Sequence, residues 1–181
     1  MSFIGGVDLA GLVLQELRTC EVIRKNPHPN LATFYGCQIS DDGRVSGLCF
    51  ERYIENLMQK VNPHHLNKSA FIQCKETAAS RKIAAGYLPS IEAGLRRLHA
   101  LGIIHNDLNP TNIMIATDGR AVIVDYDTSS APGVPLDNAK RTHGWHDPRV
   151  TMSQESNDWD AFRELRTWLT GSSPNQFQFE E

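Results

Sequence analysis

Apolar residues recur at helical spacing in three stretches of the chain. They occupy residues 9–20, 88–98 and 159–169. Because residues three or four positions apart lie on one face of a helix, each stretch predicts an amphipathic helix. The pair NP at 26–27 is expected to end the first helix and Gly102 the second. Asn157 or Asp158 is the expected N-cap of the third.

Two pairs of apolar runs predict β-hairpins. LATFYGCQIS and RVSGLCFERY flank the turn DDG at 41–43, and a short strand at 113–115 and the run AVIV flank a turn at 117–120. From Tyr53 to Arg81 the pattern is weak, while TSSAPGVPLDNAK predicts a mobile surface loop. Strands early and helices late in the chain predict an α+β protein, with a small sheet-bearing lobe joined to a mostly helical one.

Composition narrows the class of protein. The 181 residues accommodate one domain or two small lobes around a cleft. A net charge of −3, with no basic run, predicts binding to neither nucleic acid nor an anionic membrane. No run of apolar residues is long enough to span a bilayer, the N-terminus lacks the basic region of a signal peptide, and the four cysteines form no CxxC pair. These features predict an intracellular protein, in the cytosol or nucleus.

Candidate chemistry is concentrated in HNDLNPTNIM, at residues 105–114. Pro110 prevents a helix from running through this segment, so a loop that presents polar side chains is expected. Asp107, Asn112 and Asp125 offer two carboxylates and an amide oxygen, which are the hard ligands that Mg²⁺ prefers. The second predicted hairpin would bring Asn112 and Asp125 together, and Asp107 could face a metal-bound phosphate as a base.

Two motifs in this region resemble those of protein kinases. HNDLNPTN is similar to the catalytic loop H-R-D-L-K-P-x-N, and DYD at 125–127 resembles D-F-G. NPHPNLATFYG, RTHGWHDP and NDWDAFRELRTWL resemble further kinase segments in the same order. The resemblance runs from about Val7 to Leu169. The residues of these motifs are most similar to those of truncated kinase-like proteins of filamentous fungi.

The resemblance implies a protein-kinase-like two-lobe fold of the α+β class. The N-terminal lobe, about residues 1–53, would be reduced, because its first strands have no counterpart. The C-terminal lobe, about 54–170, would be mostly helical and truncated, and 171–181 would form a flexible tail.

The resemblance also implies roles for individual residues. Asp107 would accept the proton of the substrate hydroxyl, and Asn112 and Asp125 would hold Mg²⁺ on the phosphates of ATP. Three further residues would take supporting positions: His105 under the Asp125 turn, Glu16 on the regulatory helix, and Asp158 as the brace of the catalytic loop. The residues themselves leave other interpretations open, in which Asp107 and Asn112 are turn residues, Asp158 is a helix cap and Glu16 is a solvated charge.

Several positions depart from the kinase pattern. No GxGxxG precedes a strand, and the lysine that would pair with Glu16 is missing, its place falling near Gly5. Asn109 occupies the catalytic position of a lysine, and a neutral amide cannot offset phosphate charge. Asn106 replaces the arginine that reads activation-loop phosphorylation, and Asp127 replaces a glycine.

Three functions follow as hypotheses. The first is a Ser/Thr protein kinase that uses ATP and Mg²⁺ on a protein substrate, with the missing small-lobe strands supplied by a partner chain or a longer gene product. The second is a pseudokinase that binds a partner protein without turnover, favoured by the missing glycine-rich loop and lysine. The third is a small-molecule phosphotransferase of the aminoglycoside- or choline-kinase type, which IVDYD resembles.

Overall fold

The computed structural model describes residues 9–137 and 139–180 of the 181-residue chain. Its helices are α1 (Leu9–Lys25), α2 (Leu57–Val61), α3 (Lys68–Gln73), α4 (Ala78–Ala84), α5 (Leu88–Ala100) and α6 (Glu155–Thr170). Its strands are β1 (Phe34–Ile39), β2 (Val45–Phe50), β3 (Glu55–Asn56), β4 (Ile113–Ile115) and β5 (Ala121–Ile123). The predicted α+β class is confirmed, and the positions near Gly5 and Val7 lie outside the described residues.

The strands form two small antiparallel sheets. β1 and β2 pair with each other, and their turn places Gly43 at a φ of +82°, a conformation that glycine adopts at little cost. The second sheet has the order β3-β4-β5. Both predicted hairpins are confirmed. β3 was not predicted, because two residues leave no alternation to detect.

The second sheet is attached to helix α5, which positions the candidate site. The N–H of Ala32 donates to Ile123 O at 3.0 Å, and the N–H of Ile123 donates to Asn30 O at 2.9 Å. Gly94 of α5 faces this junction so closely that an added Cβ would lie 2.9 Å from Asn30 O and from Ile123 Cδ1. α5 also buries Ile91, Leu95 and Leu98 completely, so the sheet and the helix share one core.

Helices α1, α5 and α6 confirm the three helices that the apolar pattern predicts. α1 ends at Lys25, one residue before the predicted NP stop, and α5 ends before Gly102, which adopts a φ of +72°. The region from 53 to 81, where the apolar pattern is weak, contains α2, α3 and the start of α4, and none of these three helices was predicted. None of the helices in residues 9–137 and 139–180 combines the length and apolar character that a bilayer span requires.

One local prediction is wrong, and a second is wrong in part. Helix α6 begins at Glu155 and its N-cap residue is Gln154, so Asn157 and Asp158 lie within the helix and are buried. The stretch TSSAPGVPLDNAK does not start as a surface loop, because Thr128 and Ser129 are buried. In both cases, tertiary contacts bury polar residues whose local sequence pattern is typical of surface positions.

Residues 171–180, expected to form a flexible tail, pack on the helices. Pro174–Gln176 forms a short 3-10 turn, and Phe177 packs against the core. The N–H of Gln178 donates to Glu164 Oε2 of α6 at 2.8 Å. The described part of the tail is therefore attached to the helical part of the protein.

Candidate active site

The loop after α5 is fixed to helix α6 by one buried carboxylate. Asp158 Oδ2 accepts a hydrogen bond from the N–H of His105 at 2.9 Å, and Oδ1 accepts one from the N–H of Asn106 at 2.8 Å. His99 Nε2 lies 2.8 Å from Oδ2 and supplies a third polar contact. Asp158 has no exposed surface, and these partners stabilise its charge while they hold the loop backbone.

Asn106 connects this loop to the segment after Asp125. Its φ is +66°, a conformation that asparagine tolerates better than most residues. Its amide Nδ2 lies 3.1 Å from both Ser130 Oγ and Ser153 Oγ, and its Oδ1 accepts from Asn157 Nδ2 at 3.0 Å. A buried neutral network thus occupies the position where the kinase pattern has an arginine.

The carboxylate of Asp107 is held in one orientation by neighbouring donors. Oδ1 accepts from the N–H of Thr142 at 2.7 Å, and Oδ2 accepts from the hydroxyl of Thr142 at 2.9 Å. The amides of Asn109 and Asn112 lie 3.2 and 3.3 Å from Oδ2. The hydroxyl contact shows that a threonine side chain fits against this carboxylate as a donor.

Asn109 points into the loop rather than towards solvent. It is 1% exposed, and its Nδ2 donates to Asp107 O at 3.1 Å and to Thr142 Oγ1 at 3.0 Å. Its φ of −154° is extended, as expected for the residue before Pro110. The amide therefore takes part in local hydrogen bonding and supplies no positive charge.

Asn112 and Asp125 belong to paired segments. The N–H of Val124 donates to Asn112 O at 3.0 Å, and His105 Nε2 lies 3.0 Å from Val124 O, beneath the turn that begins at Asp125. Asp125 is exposed and has a φ of +64°, an unusual conformation for a residue other than glycine. Strained positions of this kind persist where the surrounding structure holds them, and they are frequent at functional sites.

The amide of Asn112 is held by hydrogen bonds within the loop. Nδ2 donates to Asp107 O at 3.0 Å, and Oδ1 accepts a long hydrogen bond from Thr111 Oγ1 at 3.5 Å. Within the described ranges, no group of three or more His, Cys, Asp or Glu side chains could hold a metal ion. If Mg²⁺ binds with nucleotide, Asn112 and Asp125 would supply two oxygen ligands, and phosphate oxygens and water would complete its shell.

Carboxylates dominate the surroundings of Asp125. Burial, followed by the charges of Asp125 and Asp127, raises the pKa of Glu16, while the N–H of Tyr126 opposes this shift. Burial and the charge of Asp125 likewise raise the pKa of Asp127. In the part of the chain that the structure describes, no ion pair joins Glu16 to a lysine or arginine. A cation bound here would relieve the repulsion among these carboxylates.

The structure thus brings together Asp107, Asn109 and Asn112, places His105 and Asp158 beneath them, and sets Glu16 beside the turn at Asp125. Sequence reasoning did not include Thr142 in the site, although its N–H and its hydroxyl both donate to the Asp107 carboxylate. The contact between Thr142 and Asp107 joins residues 35 positions apart, and no local sequence pattern predicts it.

Comparison with known proteins agrees with this geometry. The chain matches the protein kinase domain model over residues 10–162. That match covers well over half of the chain, so the chain belongs to the protein kinase family.

Three curated relatives are serine/threonine kinases or ribosomal protein kinases. Serine/threonine-protein kinase Tao of Drosophila melanogaster is 25% identical over 159 residues, which are 88% of this chain and 14% of that protein. Serine/threonine-protein kinase KIPK1 of Arabidopsis thaliana is 32% identical over 109 residues, 60% of this chain and 10% of that protein. Ribosomal protein S6 kinase alpha-2 of Homo sapiens is 32% identical over 112 residues, 56% of this chain and 15% of that protein. The chain therefore spans only a small part of the length of these relatives.

Proposed function

We propose that this chain binds Mg·ATP and transfers the γ-phosphoryl group to a Ser or Thr hydroxyl of a protein. The observation that carries the proposal is the hydrogen-bonded unit formed by Asp107, Asn112 and the end of β5 before Asp125. In the proposed reaction this unit would supply a carboxylate base, and together with Asp125 two oxygen ligands for a divalent cation. Membership of the protein kinase family supports the same chemistry.

Each residue of the unit has a distinct part in the proposed reaction. Asp107 accepts the proton of the attacking hydroxyl, in the way it already accepts a hydrogen bond from Thr142. Asn112 Oδ1 and Asp125 hold Mg²⁺, which offsets the charge of the phosphates. Asp158 holds the loop backbone, and His105 supports the turn that carries Asp125.

A transfer assay tests the proposal. Purified protein is incubated with Mg²⁺, γ-labelled ATP and a mixture of Ser- and Thr-containing proteins, and label in protein is measured. We expect incorporation that disappears in Asp107→Asn, because the amide cannot take the proton, while the variant still binds nucleotide. Incorporation that survives in Asp107→Asn would contradict the assigned base.

A binding module without turnover is the second candidate, and Asn109 favours it. The buried amide replaces a cation, and Glu16 has no cationic partner among the described residues. Loss of one donor aimed at developing charge lowers the rate by about 10²–10³. Nucleotide binding without any transfer would support this candidate. Replacement of the protein mixture by aminoglycosides and choline tests the third hypothesis in the same assay.

Other features remain predictions. They comprise a partner chain that supplies small-lobe strands, a lobe boundary near residue 53, an intracellular location and kinship with kinase-like proteins of filamentous fungi. Each of these predictions depends on the sequence or on the family alone.

A further inference from the structure

Lys68 is a buried cation in a segment to which the sequence pattern assigns no role. Its side chain is 5% exposed, and its Nζ lies 2.5 Å from Glu164 Oε1, on a side chain with no exposure. Burial of an ion pair costs desolvation free energy, so such a pair is a weak source of stability and is better suited to fixing a specific geometry.

Four segments of the chain meet at this pair. Nζ of Lys68 also donates to Gly144 O at 2.6 Å and to Phe179 O at 3.1 Å, while Glu164 Oε2 accepts from the N–H of Gln178 at 2.8 Å. The pair and these three partners are called the Lys68 junction below. It joins α3, α6, the segment at Gly144 and the C-terminal segment.

The Lys68 junction is linked to Asp107 through a short turn. The N–H of Trp145 donates to Thr142 O at 3.2 Å, and His146 Nδ1 lies 2.9 Å from the same oxygen. The N–H and hydroxyl of Thr142 in turn hold both oxygens of the Asp107 carboxylate. The carbonyl of Gly144, fixed by Lys68, therefore lies inside the turn that orients Asp107.

We propose that Lys68 is a positioning residue for the candidate base. With Glu164, it fixes the turn at 142–145 and, through Thr142, the orientation of the Asp107 carboxylate. The C-terminal segment completes the junction through Gln178 and Phe179. That Lys68 and Glu164 fix the turn is argued from the contacts alone. The consequence for catalysis rests on the proposed function.

Matched variants separate positioning from general stability. The double variant Lys68→Met, Glu164→Leu removes both charges and keeps similar volume, and Lys68→Arg keeps the positive charge. Lys60→Met is the control, because Lys60 pairs with Glu55 at 2.7 Å in a half-exposed position. Amide hydrogen exchange is measured by NMR at Thr142 and Trp145, with Leu98 of α5 as the reference for global unfolding.

We expect exchange at Thr142 and Trp145 to accelerate at least tenfold in the double variant, with little change at Leu98. Lys68→Arg should keep both amides within about threefold of the wild type, and the control should leave them unchanged. If the double variant does not fold, Glu164→Gln is measured against the same criteria. Unchanged exchange at Thr142 in the folded variant overturns the proposal.

A kinetic arm distinguishes this proposal from the proposed function. If the wild type transfers phosphate, the double variant should lower kcat at least tenfold with little change in the KM for ATP, because Asp107 is misplaced and the nucleotide ligands are not. An equal kcat overturns the positioning role. Accelerated exchange in a protein that transfers no phosphate supports the positioning role and contradicts the proposed function instead.

Discussion

Replacement of Asp158 by Asn removes one negative charge and changes little else in shape. The carboxylate accepts hydrogen bonds from the N–H groups of His105 and Asn106, and His99 Nε2 contacts it as well. An amide has one oxygen, so its NH₂ group must face at least one of these donors. That donor is then buried without an acceptor.

The magnitude follows from the number of contacts and from burial. A hydrogen bond to a charged group contributes about 1.5–3 kcal/mol, and a buried donor left unpaired costs a further 1–3 kcal/mol, roughly. The two contributions add, and partial relaxation of the site recovers some of the loss. We therefore expect Asp158→Asn to lower the free energy of unfolding by about 3–5 kcal/mol. For a domain of this size, each kcal/mol corresponds to about 2–4 °C in Tm.

Thermal unfolding followed by circular dichroism measures this loss directly. Asp160→Asn is the matched control, because Asp160 lies two residues further along α6 and pairs with Arg163 at the surface. Exposed pairs contribute about 0–1 kcal/mol, so this control should change Tm only slightly. A Tm for Asp158→Asn within about 2 °C of the wild type would refute the bracing contact.

Two further predictions concern charge and packing. Burial and the charge of Asp125 raise the pKa of Glu16, so its contribution to stability is fully present below its unfolded pKa and is lost as the pH rises through the folded value. Glu16→Gln should therefore gain in Tm relative to the wild type as the pH increases from 4 to 7, and a constant difference would contradict the shift. Gly94→Ala should destabilise by about 1–3 kcal/mol in urea unfolding, since its Cβ would meet Asn30 O at 2.9 Å. Gly86→Ala, which meets nothing within 4 Å, should not.

Long elements could be predicted from the sequence because they repeat their pattern. α1, α5 and α6 each span at least three turns, and the two hairpins carry turn residues at fixed positions. Helices α2 to α4 have only five to seven residues, which is too few for a clear apolar period. Their existence depends on the core that they cover rather than on local sequence.

The candidate site was predictable where residues lie close in sequence and was missed where distant segments meet. Asp107 and Asn112 come from one loop, and Asp125 follows the paired strand, so spacing and hairpin pattern indicate their proximity. Lys68 and Glu164 are 96 residues apart, and no motif in the sequence around either residue predicts that they pair. Asp158 has the local pattern of a helix cap, and its contact with the N–H groups of the loop was expected from the resemblance to protein kinases rather than from spacing.

The measurement that tests the central claim most directly is the thermal shift caused by Mg·ATP. Ligand at about a thousand times its Kd stabilises by roughly 4 kcal/mol, or about 8–16 °C in a domain of this size. We expect a shift of this order in the wild type and in Asp107→Asn, because the base does not hold the nucleotide. Asp125→Asn, which keeps the shape and tolerates the same backbone conformation, should lose the shift. No shift in the wild type, or an equal shift in Asp125→Asn, would contradict a Mg–nucleotide site at Asn112 and Asp125.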